Sequence, residues 1–308
     1  MPSSTTMRDN DCMVERLFIT GIAGFIGRNL AKEALAQGFS VKGMDIADMK
    51  EQLNVEFVKA DIRDMAKVEA AMKGADYVVH LAAITSNVEF EKGLKECYDA
   101  NVTGFMNVIE AARRNNVKKF LYASSAAVYT DKSGFSEDSV ISMQEQKSHY
   151  AKSKLMNEMI AKSYADAYGM EAIGMRLFNV YGPGENEKGD YASIISRFMK
   201  DSREGRPLLV YGDGNQARDF VYVEDAAKIV LELLGKAQQG VYNVGTGKAV
   251  SYTDIAKRIN ADALRYVRNP LSSYQYLTRS DSAKLRAAIG DYRFTDAVEW
   301  IAGSNKPG

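Results

Sequence analysis

Residues that carry strong chemistry by themselves are scarce in this chain of 308, which has two cysteines, two histidines and a single tryptophan. Cys12 and Cys97 lie far apart with no pairing motif, so no disulfide framework is expected, and a reducing, cytoplasmic setting is. His80 and His149 sit in unrelated segments without zinc-ligand spacing, and no metal is expected. Net charge is missing too. Forty basic residues balance forty acidic ones, which removes the electrostatic signature of a nucleic-acid or membrane-surface binder. No apolar stretch approaches the roughly 20 residues of a membrane span. The polar opening "MPSSTTMRDNDCMVER" lacks the apolar core of a signal peptide, and residues 1–13 read as a flexible tail. With 46% apolar residues and five prolines, the chain is expected to be soluble and globular, with a sizeable core.

What is present is a rhythm. "RLFIT", "SVKGMD", "VEFVKA", "DYVVHLAA", "KKFLYAS" and "EAIGMRLF" read as strands, separated by amphipathic helical patterns such as "GRNLAKEALAQG" and "ANVTGFMNVIEAARRN". Strands and helices in alternation predict an α/β fold with a doubly wound parallel sheet of the Rossmann type. After Phe178 the rhythm breaks into "NVYGPGENEKGDY" and later "VYGDGNQARDF", rich in glycine and charge. Residues 14–178 with 219–244 are therefore assigned to a dinucleotide-binding domain, and 179–218 with 245–308 to a smaller, interleaved substrate lobe.

The turn after the first strand, "TGIAGFIG", carries Gly21, Gly24 and Gly27 at the start of a helix. Glycines there let the backbone approach a ligand, and the helix N-terminus offers amides and a positive dipole to a diphosphate. Asp45 ends the second strand, where a carboxylate accepts from ribose hydroxyls and repels a 2′-phosphate, which favours NAD over NADP. Asp61 and Ile62 follow the third strand, where an adenine ring could be held.

"HYAKSKL" places Tyr150 and Lys154 four apart on a helix, on one face. A free phenol, with a pKa of about 10, is a poor base at neutral pH. A neighbouring ammonium is expected to lower it, and Ser125, at the end of the fifth strand, can join the same hydrogen-bond chain. Such a tyrosine could take a proton from a sugar hydroxyl while the attached carbon gives up hydride.

Taken together, "TGIAGFIG", "DIRD", "HLAA", "ANVTG", "SSAAVY", "YAKSK", "RLFNVYGPG", "GDGNQARDFVYVED" and "YNVGTG" run in order over nearly the whole chain. In them the sequence resembles the extended short-chain dehydrogenase/reductases, in particular the NAD-dependent epimerase/dehydratase group that acts on nucleotide sugars. The resemblance implies that Ser125, Tyr150 and Lys154 are catalytic, with Lys154 also bonding the nicotinamide ribose. It extends the NAD contacts to Phe25, Ile26, Leu81, Ala82, Ala83, Asn101, Ser124 and Phe178. Asn179 and Arg218 would hold the nucleotide diphosphate, and Thr85, Val210, Lys188 and Tyr274 would meet the substrate. A homodimer built on the helices of 101–113 and 150–168 is implied in the same way.

Dehydratases of the group carry an Asp-Glu pair directly after the catalytic hydroxyl, and this chain has Ala126 and Ala127. An epimerase, which needs no such acid and base, is the preferred reading, and a UDP-hexose 4-epimerase the leading one. "ENEKGDYAS" and "YQYLTRSDSAKLRAA" are also similar to ADP-glycero-manno-heptose 6-epimerases, in which Lys188 would be a second active residue. A ketosugar reductase is a further alternative.

Overall fold

The computed structural model describes residues 14–130, 134–185, 189, 192–269 and 275–304. Side-chain alternation along the first strand, β1 (Arg16–Thr20), sets up the two faces of the central sheet. Leu17 and Ile19 enter one core and Phe18 the other, all three buried. The same division repeats in β2 (Ser40–Asp45), β3 (Glu56–Lys59), β4 (Tyr77–His80), β5 (Lys119–Ser125) and β6 (Ala172–Leu177). In β5, Phe120 and Tyr122 join the core of Phe18, while Leu121 joins that of Leu17. Both faces being covered, these strands read as near-continuous apolar runs.

The remaining strands are β7 (Asn179–Tyr181), β8 (Leu208–Tyr211), β9 (Ala217–Tyr222), β10 (Gly240–Val244), β11 (Ala249–Ser251) and β12 (Leu264–Val267). The large sheet has seven strands in the order β10-β6-β5-β4-β1-β2-β3, every pair parallel. The winding reverses between β1 and β4, and the carboxyl ends of those strands open on a crevice, the usual ligand position in a doubly wound sheet.

Helices α1 (Phe25–Ala36), α2 (Met65–Met72), α3 (Asn87–Lys92), α4 (Leu94–Tyr98), α5 (Gly104–Arg114) and α6 (His149–Tyr168) belong to the first half of the chain. Helices α7 (Ile194–Arg203), α8 (Val223–Lys236), α9 (Tyr252–Asn260), α10 (Ala283–Ile289) and α11 (Ala297–Ser304) follow. One face of the sheet is covered by α1 and α8, the other by α2, α5 and α6. Between α4 and α5 the chain makes a π-helical turn, Asp99–Thr103, which holds Asn101.

The smaller lobe has its own core, in which Tyr181, Phe198, Val210, Phe220, Ile255 and Ile301 meet. Its sheets are β11-β9-β7 and β12-β8. Two boundaries depart from the sequence reading. Strand β9 crosses residue 219 and pairs wholly within the small sheet, although the helix that continues it, α8, lies on the large one. Helix α10 returns to the large domain, where Leu285 is buried in the core of β1 and α8.

Candidate active site

The cofactor side of the crevice is shaped by close backbone approach. Gly21 adopts a positive φ of 76°, and a Cβ there would lie 2.6 Å from the amide nitrogen of Ala82. A Cβ on Gly27 would lie 2.0 Å from the Gly21 carbonyl, so helix α1 can start against the turn only as glycine. No side chain caps α1 at Gly24. The resulting cavity, about 680 Å³, is lined among others by Gly24, Phe25, Asp45, Asp61, Ile62 and Ala83. Gly21, Leu81 and Ala82 complete its wall. The Asp45 carboxylate accepts from the amides of Ala23 (3.0 Å) and Ala47 (3.0 Å), which fixes its direction. Asp61 forms a fork with Arg63, whose guanidinium holds its carboxyl below the usual range. A glycine cradle, an uncapped helix start and an oriented carboxylate at the end of β2 suit a dinucleotide's diphosphate and adenosine ribose.

The reactive end lies where β5 meets α6. Ser125 accepts the amide of Ala127 (3.1 Å) at the start of a short 3-10 turn, Ala126–Val128. Its hydroxyl lies on the side of Tyr150 on α6, close enough to draw the phenol's pKa down. Helix α6 begins at Ser148, whose hydroxyl caps the amide of Ala151. One turn after Tyr150, the buried Lys154 lies with Nζ 5.8 Å from the phenol ring centre and donates to the carbonyl of Ala123 (2.8 Å).

The charge balance here differs from the sequence expectation. Burial pushes the Tyr150 phenol up, and the Ser125 hydroxyl draws it back. The ammonium is turned to a backbone carbonyl, and burial pushes it down to about 8 against the opposing charge of Glu158.

On β7, Asn179, expected to hold the substrate, donates to the carbonyl of Asp219 (3.3 Å) and to Thr278 Oγ1 (3.4 Å). Arg218 spends its guanidinium on the carbonyls of Ala217 (2.9 Å), Gln275 (2.6 Å) and Tyr276 (3.3 Å) and lies over the ring of Tyr252. Thr85 is exposed on the loop after β4.

A profile of the NAD dependent epimerase/dehydratase family matches residues 17–245. The chain belongs to this family. A putative UDP-glucose 4-epimerase of Methanocaldococcus jannaschii is 34% identical over 250 residues, 78% of this chain and 79% of the relative. An ADP-L-glycero-D-manno-heptose-6-epimerase of Alkalilimnicola ehrlichii is 30% identical over 305 residues, 91% of this chain and 93% of the relative. Among solved structures, the Thermus thermophilus UDP-glucose 4-epimerase complex with NAD superposes with a TM-score of 0.79 at 29% identity, covering 88% of this chain and 92% of that one. The cofactor of this epimerase/dehydratase family member is NAD, and the crevice built on Gly21, Gly27 and Asp45 fits it.

Five residues expected to touch ligands are otherwise engaged in the protein. The hydroxyl of Ser124 faces α6 and donates to Glu158 Oε1 (2.5 Å), because alternation along β5 puts it on the side of Tyr122. Asn101 spends its amide on both backbone groups of Ile84 (2.8 Å each) and on Ser153 Oγ (3.1 Å). It thereby ties the loop after β4 to α6, three residues beyond Tyr150. Phe178 packs between Tyr129 and Phe135. Val210 is wholly buried in the small lobe's core, leaving no surface for a substrate. Ile26 is half-buried against the core beside Phe178 and does not line the cavity. Lys188 and Tyr274 lie outside the described residues.

Two further buried side chains were not assigned to the site by the sequence. Asp219 is fully buried, its carboxylate taking Thr246 Oγ1 (2.6 Å), the Gly247 amide (2.9 Å) and Ser280 Oγ (2.7 Å), which knots β9 to two loops beside Arg218. His80 is buried at the end of β4, as a packed residue would be, with Nδ1 2.7 Å from Thr20 Oγ1.

Proposed function

We propose that the chain is an NAD-dependent nucleotide-sugar epimerase, and within that class a UDP-hexose 4-epimerase. The observation that carries this reading is the meeting of Ser125 and Tyr150 above the buried Lys154, followed directly by Ala126 and Ala127. Tyr150 takes the hydroxyl proton at the sugar carbon that becomes a ketone, and returns it once that carbon has been reduced from its opposite face. Bound NAD supplies the hydride acceptor and a positive charge that favours the phenolate. Ser125, its oxygen accepting the Ala127 amide, keeps its own proton for the Tyr150 oxygen or the sugar oxygen. Asn179 and Arg218 are assigned to the substrate diphosphate, with Thr85 near the sugar. Two alanines after Ser125 offer neither the acid nor the base that elimination of water needs, which weighs against a 4,6-dehydratase.

The relation to the heptose 6-epimerase, which spans 91% of this chain, supports a second reading: inversion at C6 of an ADP-heptose with Lys188 as a further active residue. Incubation with UDP-, ADP-, GDP- and dTDP-sugars without added cofactor, followed by NMR of the products, separates the possibilities. Inversion at C4 of a UDP-hexose is the expected result. Heptose inversion at C6 would transfer the assignment to the second reading, a 4-keto-6-deoxy product would overturn the epimerase, and turnover that appears only in a parallel incubation with reduced cofactor, consumed stoichiometrically, would make it a reductase. We also propose a homodimer through α5 and α6, which leave Met106, Met159 and Tyr168 exposed on this protomer; a monomeric mass by light scattering would remove it.

A further inference from the structure

The end of β5 touches α6 at three consecutive residues. Ala123 receives the Lys154 ammonium through its carbonyl (2.8 Å), Ser124 donates its hydroxyl to Glu158 (2.5 Å), and Ser125 turns its hydroxyl toward Tyr150. Tyr150, Lys154 and Glu158 stand four apart, a single stripe of the helix. Two of the three contacts belong to the reacting site. The third has no part in the chemistry described so far.

Glu158 is 11% exposed at its side chain and also accepts from Arg176 on β6, at Nε (3.0 Å) and Nη2 (2.7 Å). Arg176 Nη1 in turn donates to the hydroxyl of Tyr129 (2.9 Å), whose main-chain carbonyl accepts from Gln275 (2.7 Å). A buried ion pair is by itself weak evidence for stability, since desolvation offsets most of its attraction. Here the pair stands one helical turn from a lysine that is 2% exposed and bonded to a neutral carbonyl, so the nearest negative charge along α6 is Glu158.

We propose that Glu158 is a positioning residue for the reaction: through Ser124 it fixes the end of β5 on α6, and it stands one helical turn from Lys154 as the carboxylate beside that ammonium. This rests on the reading of Tyr150 and Lys154 as the reacting pair. The other titratable or charged groups around the stripe are Arg176 from β6, Tyr122 from β5, Tyr129 after it, His80 from β4, and Lys162 on α6 itself. Glu158 is the one among them whose charge opposes the effect of burial on Lys154.

The test is NMR titration of the NAD-loaded chain carrying 13C at lysine Cε, with the Lys154 resonance assigned by its loss in Lys154→Met. In Glu158→Gln the Lys154 midpoint should fall by about one pH unit or more, whereas Glu158→Asp, which keeps the charge, should hold it near the wild-type value. If Glu158→Gln does not fold because Arg176 is left unpaired, Glu158→Gln/Arg176→Met is compared with Arg176→Met, and the Lys154 midpoint should be the lower in the double variant. An unchanged Lys154 midpoint between wild type and Glu158→Gln, or between those two Arg176 variants, overturns the proposal. A purely structural ion pair would lower the melting temperature without moving that titration. Failure of the sugar panel would fault the assigned reaction, while the lysine titration would still decide the role of Glu158.

Discussion

The two halves of the crevice are built on opposite terms. On the NAD side the backbone is already in place: Gly21 is pressed against Ala82, α1 starts on the Gly21 carbonyl, and Asp45 is aimed by two amides. On the substrate side the polar groups are spent on the protein itself, Arg218 on three carbonyls and Asn179 on Asp219 and Thr278. A ligand entering the first half meets aimed partners; one that took Arg218 in the second, as proposed, would compete with carbonyls for its guanidinium. The cofactor half is thus preorganised, and the substrate half has to exchange hydrogen bonds to work.

The preorganised half should be the more brittle. Gly27→Val places atoms inside the space of the Gly21 carbonyl, and overpacking of this kind costs about 1–3 kcal/mol or more. Purified variant protein is expected to carry no NAD and to melt earlier, read by cofactor release and calorimetry. Gly235→Ala, where a Cβ meets nothing within 4 Å, should leave both unchanged and serves as the control. Equal NAD retention in the Gly27 variant would mean that the cradle is softer than its geometry implies.

Between the halves, Tyr150→Phe removes the one hydroxyl assigned to proton transfer. Turnover should fall by about 10²–10⁴-fold with NAD still bound. Near-normal activity would require another base.

The exchanging half predicts a milder effect. Arg218→Lys retains the charge but loses the planar fork, so KM for the nucleotide sugar should rise about tenfold while NAD affinity stays the same. A matching loss of NAD would show that the two halves are not independent.

Legibility in the sequence follows the same division. Features made by backbone leave a trace in residue type: glycine where a Cβ has no room, an acidic residue at the end of β2, tyrosine and lysine one helical turn apart. The six strands of the alternating pattern were readable too, as short apolar runs between helices. What escaped depends on where a side chain turns. Ser124 and Ser125 are adjacent and chemically alike, yet one joins Glu158 and the other Tyr150. Asn101 looked like a ligand contact, but a π-helical turn aims it at Ile84 and Ser153. Lys154 reads as a partner of Tyr150, and nothing in the spacing shows that its ammonium is also held by the carbonyl of Ala123. No composition or spacing distinguishes these outcomes, since tertiary geometry chooses the partner.

The floor of the NAD half allows a smaller test through pH. His80 joins β4 to Thr20 on β1, is enclosed by Phe105 and Phe120, and is pushed down from 6.5 to about 3, by burial first and then by the positive charge of Lys154. A folded-state pKa below the unfolded one means that the unfolded chain binds the proton first. The stability linked to His80 is therefore fully present above the unfolded value of 6.5 and is lost as pH falls toward about 3. Between pH 7 and 5.5, above the range in which most carboxylates titrate, the loss should be about 1 kcal/mol. His80→Gln, which can still bond Thr20 but cannot gain the charge, should flatten that slope in urea unfolding at the two pH values. The second histidine, His149, is common to both proteins and cancels in the comparison. An identical slope in the variant would show that His80 is protonated as readily in the fold as outside it, and that the floor beneath the cofactor is wetter than its packing implies.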